Sequence, residues 1–169
     1  MPSPDKQNTR KLLFSAVLCA FALALSLLDT AVSSLIPFLP GFKLGLANVV
    51  TLYALYTLGG GYALLICIVR VFLAAALSGN MTMLLFSLFG GVVSLLLMWG
   101  VKRLLSMVKT SVVGGVAHNM MQVLAAFLLT DTPQVGYYIP FLIIAGAVSG
   151  FCMGVLCGLI LRRLPPKAK

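Results

Sequence analysis

Long apolar runs, broken by few charges, constrain this chain more than any other feature of its sequence. A soluble amphipathic helix places polar residues every few positions, and these runs do not. Of the 169 residues, 61% are hydrophobic and 9% are charged, which is too little polar surface to cover a soluble core. One helical crossing of a bilayer takes about 20 residues. The sequence therefore predicts an all-α integral membrane protein of six transmembrane helices, with no separate soluble domain.

Six crossings fill the chain between a tail over residues 1–11 and a basic tail over residues 162–169, as one domain over residues 12–161. A secretory signal competes for the first segment, although its apolar run is long for that role. Two dividers, at 58–61 and 78–80, are short enough to belong to tight hairpins or to re-entrant segments. The predicted crossings run from about Leu12 to Leu28, Leu44 to Leu58, Tyr62 to Ser78, Thr82 to Val101, Val112 to Thr130 and Tyr138 to Leu161.

Basic residues predict the orientation. Three clusters lie before the first crossing, between the fourth and fifth, and after the sixth, and with six crossings they share one side. The positive-inside rule makes that side the cytoplasm, so both termini are expected there, in the cell membrane. The net charge of +9 is thus a topology signal, since nucleic-acid binding needs a basic face on a folded domain. The clusters are Lys6, Arg10 and Lys11; Lys102, Arg103 and Lys109; and Arg162, Arg163, Lys167 and Lys169.

Small residues recur at helical spacing on several predicted crossings. Membrane helices approach each other closely across such residues. We expect the glycines of the sixth crossing to pack within this chain, whereas a partner protein competes for the alanines of the first. The glycines are Gly146, Gly150, Gly154 and Gly158, the alanines are Ala16, Ala20 and Ala24, and the fourth crossing carries the pairs Ser87–Gly91 and Gly90–Ser94.

Polar residues at membrane depth are few, and Arg70 is the most informative. It lies near the middle of the third crossing, where an arginine costs roughly 2.5–3.5 kcal/mol on insertion scales. We expect a polar cavity, open at some stage to the outside, that binds a small anionic or strongly hydrogen-bonding solute. The alternative is that Arg70 caps backbone carbonyls while the amides bond neighbouring helices. The candidate substrate-binding residues are Lys43 at the outer mouth of the second crossing, Asn48 deeper within it, Arg70, and His118, Asn119 and Gln122 of the fifth.

The sequence lacks the residues that ion coupling, ATP hydrolysis, catalysis and metal binding require. The chain has no glutamate, and its acids are Asp5, Asp29 and Asp131, of which the last two are expected near the outer surface. A proton- or sodium-coupled carrier normally keeps a carboxylate at membrane depth. No phosphate-binding loop, catalytic triad, paired acids or metal-ligand cluster can be assembled, so no enzyme, cofactor or metal is predicted. Cys19, Cys67, Cys152 and Cys157 are expected to be small hydrophobic residues. The pattern favours a binding subunit that depends on another protein for energy.

The string Pro40-Gly41-Phe42-Lys43-Leu44-Gly45-Leu46-Ala47-Asn48 resembles the signature of membrane proteins called heptaprenyl diphosphate synthase component I, or Gx transporters. The likeness covers about Leu12 to Leu161. Further similar positions are Arg70-Val71-Phe72, Ser87-Leu88-Phe89-Gly90-Gly91, Ala117-His118-Asn119, Gln122, Pro140 and Gly146.

The resemblance implies membership of the substrate-binding (S) subunits of energy-coupling factor (ECF) transporters. Such six-helix subunits capture a small solute from outside, and a membrane scaffold subunit with two cytoplasmic ATPases drives its uptake. In that group an A-x-x-x-A stripe on the first helix docks the scaffold, and Ala16, Ala20 and Ala24 match it. The segment from Asp29 to Phe42 would be the outer loop that closes over the solute.

The family name implies a different function, in isoprenoid chain elongation. That reaction depends on aspartate-rich motifs that hold magnesium on a diphosphate, and this chain has no two acids close together. The chain is therefore expected to be at most a non-catalytic membrane component of heptaprenyl diphosphate or quinone biosynthesis. A third alternative is a membrane anchor in a redox assembly.

Overall fold

A computed structural model describes residues 4–34, 45–130 and 133–164, and within these ranges the chain is helical with short turns. The helices are α1 (Pro4–Ser34), α2 (Leu46–Thr57), α3 (Gly60–Ser78), α4 (Met81–Val101), α5 (Met107–Thr130) and α6 (Ile139–Arg163), with a 3-10 helix (Pro133–Tyr138) before α6.

The predicted six-helix membrane fold is confirmed. In the described ranges, five helices are long and apolar enough to cross a membrane, and α2 is a shorter apolar helix. The chain is a multi-pass membrane protein. Helix α1 begins at Pro4 and α5 at Met107, both earlier than the predicted crossings, because helical hydrogen bonding continues into the basic flanks where the apolar signal stops.

Tight turns separate the helices at both glycine dividers. Gly59 (φ 96°) joins α2 to α3, and Gly79 (φ 62°) joins α3 to α4. Positive φ values suit glycine because it has no Cβ. Both dividers are thus tight turns between helices, as the hairpin alternative has them. The re-entrant alternative stays a prediction.

Helix α2 differs from the other five in length and in burial. Its 12 residues span about 18 Å, less than the roughly 30 Å of a bilayer core. It contacts α1, α3, α4 and α6, and Leu52, Ala54 and Leu55 are almost completely buried. Protein rather than lipid surrounds it, so its length need not match the bilayer.

One end of the bundle gathers the C-terminal ends of α2, α4 and α6 with the N-terminal end of α5. Three hydrogen bonds join these ends. Lys102 Nζ donates to the Leu55 carbonyl (3.2 Å), Tyr53 Oη to the Leu164 carbonyl (3.2 Å), and Tyr56 Oη to Thr110 Oγ1 (3.3 Å). The Phe14 ring of α1 packs edge-on against Tyr53 at this end. The described basic clusters therefore share one end of the bundle, and its cytoplasmic placement rests on the positive-inside rule. Since α2 extends only about 18 Å from this end, its N-terminus is expected within the thickness of a bilayer core of roughly 30 Å.

Helices α5 and α6 are packed backbone to backbone across glycines. A Cβ atom on Gly146 would lie 2.7 Å from the Gly115 carbonyl oxygen, and one on Gly150 would lie 2.6 Å from the Ser111 carbonyl oxygen. Gly154 meets Val108 in the same way, at 2.9 Å. The expected packing within the chain is confirmed for these three glycines. Gly158, next on the same ridge, would meet nothing within 4 Å.

Helix α1 has one buried face and one exposed face. Ser15, Ala22 and Asp29 are buried against the bundle. The stripe of Ala16, Ala20 and Ala24 lies on the exposed face, among exposed apolar side chains that include Val17 and Phe21. The alanine stripe is therefore not used to pack the described part of this chain.

Replacing Gly150 with alanine is expected to destabilise the fold by about 1–3 kcal/mol, because the new methyl group forces α5 and α6 apart. Gly158→Ala is the matched control on the same ridge, since its methyl group meets open space. Unfolding of both variants in mixed detergent micelles measures the difference. Equal stability of the two variants would contradict the backbone contact.

Candidate functional site

Arg70 lies in the middle of α3 and is 5% exposed. Its Nη2 donates to Cys67 Sγ at 3.9 Å, a long hydrogen bond to a weak acceptor. Its Nε has no hydrogen-bond partner among the described residues. Within this part of the chain the guanidinium caps no backbone carbonyl, whereas the Asn119 amide does bond a neighbouring helix, as the alternative has it. The charge is buried, and the residues that the structure describes use little of its hydrogen-bonding capacity.

Two adjacent glycines on α4 make room for the side chains on either side of it. A Cβ atom on Gly91 would lie 3.0 Å from Cys67 Sγ and 3.7 Å from Arg70 Nη2. One on Gly90 would lie 3.0 Å from His118 Cε1, on α5. Because neither glycine has a side chain, α4 fits between Arg70 and His118, and both reach the interior of the bundle.

His118 and Gln122 form a buried pair on α5. His118 Nε2 and Gln122 Nε2 lie 3.1 Å apart, one helical turn from each other. This contact confirms that the two residues share a face, as their spacing predicts. Gln122 thereby helps to set the orientation of the imidazole.

A small polar cavity of about 10 Å³ joins residues from five helices. This volume is enough for about one water molecule. Three of the predicted site residues, Asn48, Arg70 and His118, line it together. The full lining is Ser26 and Asp29 of α1, Gly45, Ala47 and Asn48 at the start of α2, Arg70 of α3, Ser87 of α4 and His118 of α5.

The other predicted site residues lie elsewhere. Asn119 points to α6, where its Nδ2 donates to the Leu142 carbonyl at 2.9 Å. Gln122 meets the cavity only through His118. Lys43 lies outside the described residues, as does most of the expected outer loop. The substrate-binding roles of these residues stay predictions.

Asp29 is the cavity residue that sequence analysis missed. It was expected near the outer surface, whereas the structure buries it at 4% exposure. Its Oδ2 accepts a hydrogen bond from the Gly45 backbone N–H at 2.9 Å. The spacing of residues along α1 could have predicted this burial. Asp29 follows Ala22 by seven positions and Ser15 by fourteen, which places all three on one face of a helix. Ser26 and Ser87 are further lining residues without a distinctive sequence pattern.

A second cavity of about 10 Å³ lies among α2, α4, α5 and α6. Gly45 and Asn48 line both cavities. Ser94, Ser111 and Ser149 supply hydroxyl groups on its far side, and Ser94 Oγ donates to the Gly114 carbonyl at 2.8 Å. The start of α2 therefore borders both cavities.

The family described as heptaprenyl diphosphate synthase component I matches residues 18–160. The chain belongs to this family. The match includes every cavity residue and confirms the resemblance noted in the sequence. No curated protein and no solved structure matches the chain. The family description names a component of a synthase, and the apolar helices are those of a membrane component.

Replacing Asn119 with leucine is expected to lower the free energy of unfolding by about 1 kcal/mol, because the Leu142 carbonyl loses its donor. Ser149→Ala is the control at the same α5–α6 crossing, since Ser149 Oγ bonds only its own helix, at Gly146. Unfolding in mixed micelles compares the two variants. If Asn119→Leu lowers the free energy of unfolding less than Ser149→Ala does, the hydrogen bond between α5 and α6 contributes little to stability.

Proposed function

We propose that this chain is the membrane-embedded substrate-binding (S) subunit of an ECF-type importer in the cell membrane, and that it captures a small anionic solute from outside. The observation that carries the proposal is the buried Arg70 guanidinium, whose Nε has no protein partner among the described residues. Charges at membrane depth generally mark a solute pathway, because their burial is costly.

The donor set around Arg70 suits an oxyanion. Guanidinium groups bind carboxylates and phosphates through paired, charge-assisted hydrogen bonds. Asn48, Ser87 and His118 add an amide, a hydroxyl and an imidazole to the same cavity. An anionic group held there would receive hydrogen bonds from α2, α3, α4 and α5 at once.

The position of the cavity supports capture from outside. The cavity includes the first residues of α2, which lie in the half of the bundle away from the basic clusters. Under the predicted orientation this is the outer half. The space holds about one water, so a solute enters only when the outer ends of the helices separate.

Arg70→Gln is expected to weaken solute retention by roughly 30-fold or more, the effect of about 2 kcal/mol lost with a buried charge. Native mass spectrometry of protein purified gently in mild detergent would detect the retained solute in the parent chain and its loss in the variant. Arg103→Gln is the matched control, because Arg103 is exposed in the α4–α5 turn. Normal retention by a folded Arg70→Gln protein would refute the proposed function.

The exposed alanine stripe on α1 supports a partner in the membrane, and we assign it to the ECF scaffold subunit with its two cytoplasmic ATPases. Ala20→Leu is expected to prevent assembly with the scaffold, because the larger side chain blocks close helix approach. Ala76→Leu on α3 is the matched control, also at an exposed alanine. Co-purification with a co-expressed scaffold and ATPases measures assembly. Equal assembly by both variants would place the scaffold contact elsewhere.

The family description favours a second candidate, a non-catalytic membrane component of heptaprenyl diphosphate synthesis. The cavity chemistry is compatible with it, since a diphosphate is also an oxyanion. Co-purification with a soluble, aspartate-rich synthase, in place of ATPases and a scaffold, would favour this candidate. The redox-anchor alternative stays a prediction.

A further inference from the structure

We propose that the N-terminus of α2 and Arg70 together form one oxyanion subsite, and that Asp29 occupies this subsite until a ligand displaces it. The ligand group is a carboxylate or a phosphate. This inference deepens the proposed function and rests on it.

The start of α2 has the properties of an anion-binding helix end. The first amides of a helix have no acceptor four residues back, and the helix dipole adds about half a positive charge there. In α2 the Asn48 N–H donates to the Gly45 carbonyl at 2.8 Å, so the free amides are those that precede it in the first turn. Gly45, at the N-cap with φ 75°, has no side chain to cap these amides. Gly45, Ala47 and Asn48 all line the cavity. Because α2 is short, this end lies inside the membrane, where water competes little for its amides.

Arg70 supplies independent support for a ligand at this helix end. Its side chain lines the same cavity, is buried to 95%, and has an Nε without a partner among the described residues. A guanidinium opposite the first turn of a helix provides donors from two directions. An oxyanion between them would accept the hydrogen bond that Arg70 Nε does not make within the described part of the chain.

Asp29 already places a carboxylate at this helix end. Its Oδ2 accepts the Gly45 N–H, and the remaining cavity holds about one water. A ligand oxyanion therefore cannot be added beside Asp29, and it must take the carboxylate's place on the Gly45 amide. Asp29 is in this way a specificity-determining residue, because its negative charge competes with every anion that enters.

The exchange also links binding to access. Asp29 is near the outer end of α1, and Gly45 directly precedes α2, so their hydrogen bond ties together the two helices on either side of residues 35–44. When a ligand takes over the Gly45 amide, this tie between α1 and α2 is released. Binding of the ligand is therefore coupled to the separation of the outer ends of α1 and α2.

Two nearly isosteric substitutions test the subsite in opposite directions. Asp29→Asn keeps an oxygen that can accept the Gly45 N–H but removes the competing charge, so anion binding is expected to tighten by about tenfold. Asn48→Asp adds a negative charge in the first turn of α2, which suits the helix dipole but repels a ligand, so binding is expected to weaken by about tenfold. Asn80→Asp is the matched control, because Asn80 caps α4 through Oδ1 at an exposed turn and aspartate caps equally well.

The measurement is thermal unfolding of the full-length chain in lipid-free neutral detergent, titrated with sodium phosphate and, separately, with sodium acetate. Sodium chloride at equal ionic strength serves as the reference. The half-saturating concentration should fall in Asp29→Asn, rise in Asn48→Asp and stay unchanged in Asn80→Asp. A parallel titration with short-chain phosphatidic acid distinguishes a lipid head group from a free anion as the source of the oxyanion, and the shifts in the variants should follow the same order.

Two results separate the inference from the proposed function. If Arg70→Gln abolishes the response while Asp29→Asn and Asn48→Asp behave like the parent chain, the α2 subsite is wrong and the Arg70 anion site stands. If Arg70→Gln responds like the parent chain, both are wrong. Absence of any response in Asp29→Asn, the variant with the least competition, would also overturn the subsite.

Discussion

The buried guanidinium of Arg70, in the middle of α3, determines which residues can surround it. Its charge cannot be left in lipid, so the helices around it bring polar groups inward, from Asp29 on α1 to His118 on α5. The two glycines of α4 allow this, because a Cβ atom on Gly90 would press on His118 and one on Gly91 would press on Cys67, next to Arg70 Nη2. The same cluster of polar groups that makes the site is thus a requirement for burying the arginine at all.

Close backbone packing gives this polar region a firm frame. Lipid offers no hydrophobic gain for helix association, so contact between smooth helix surfaces has to supply much of the stability. The glycine contacts of α6 with α5 fix those two helices, and Asn119 adds a hydrogen bond across the same crossing. His118 and Gln122 therefore extend from a helix whose position is well determined.

The number of helices, the common end of the basic clusters and the glycine ridge could be predicted from sequence, because each depends on local periodicity or on the charge of flanking residues. Three features could not. Helix α2 is short and central because of what surrounds it, which a hydropathy pattern does not record. Asp29 was predicted near the outer surface because the apolar run stops at Leu28, although the helix continues to Ser34. Asn119 was predicted to bind the substrate together with His118, whereas its side chain bonds α6, because neighbouring residues on a helix point about 100° apart.

The anchoring of α2 at one end has a mechanical consequence. Tyr53, Tyr56 and the Leu55 carbonyl attach its last two turns to α4, α5 and α6, while its first turn meets α1 through Asp29. If α2 tilts by a few degrees about its attached C-terminal end, the displacement is largest at Gly45. Because Gly45 and Asn48 border both cavities, such a pivot would enlarge one space at the expense of the other. A short, central helix can thus change the sizes of both cavities without any change in its own hydrogen bonds.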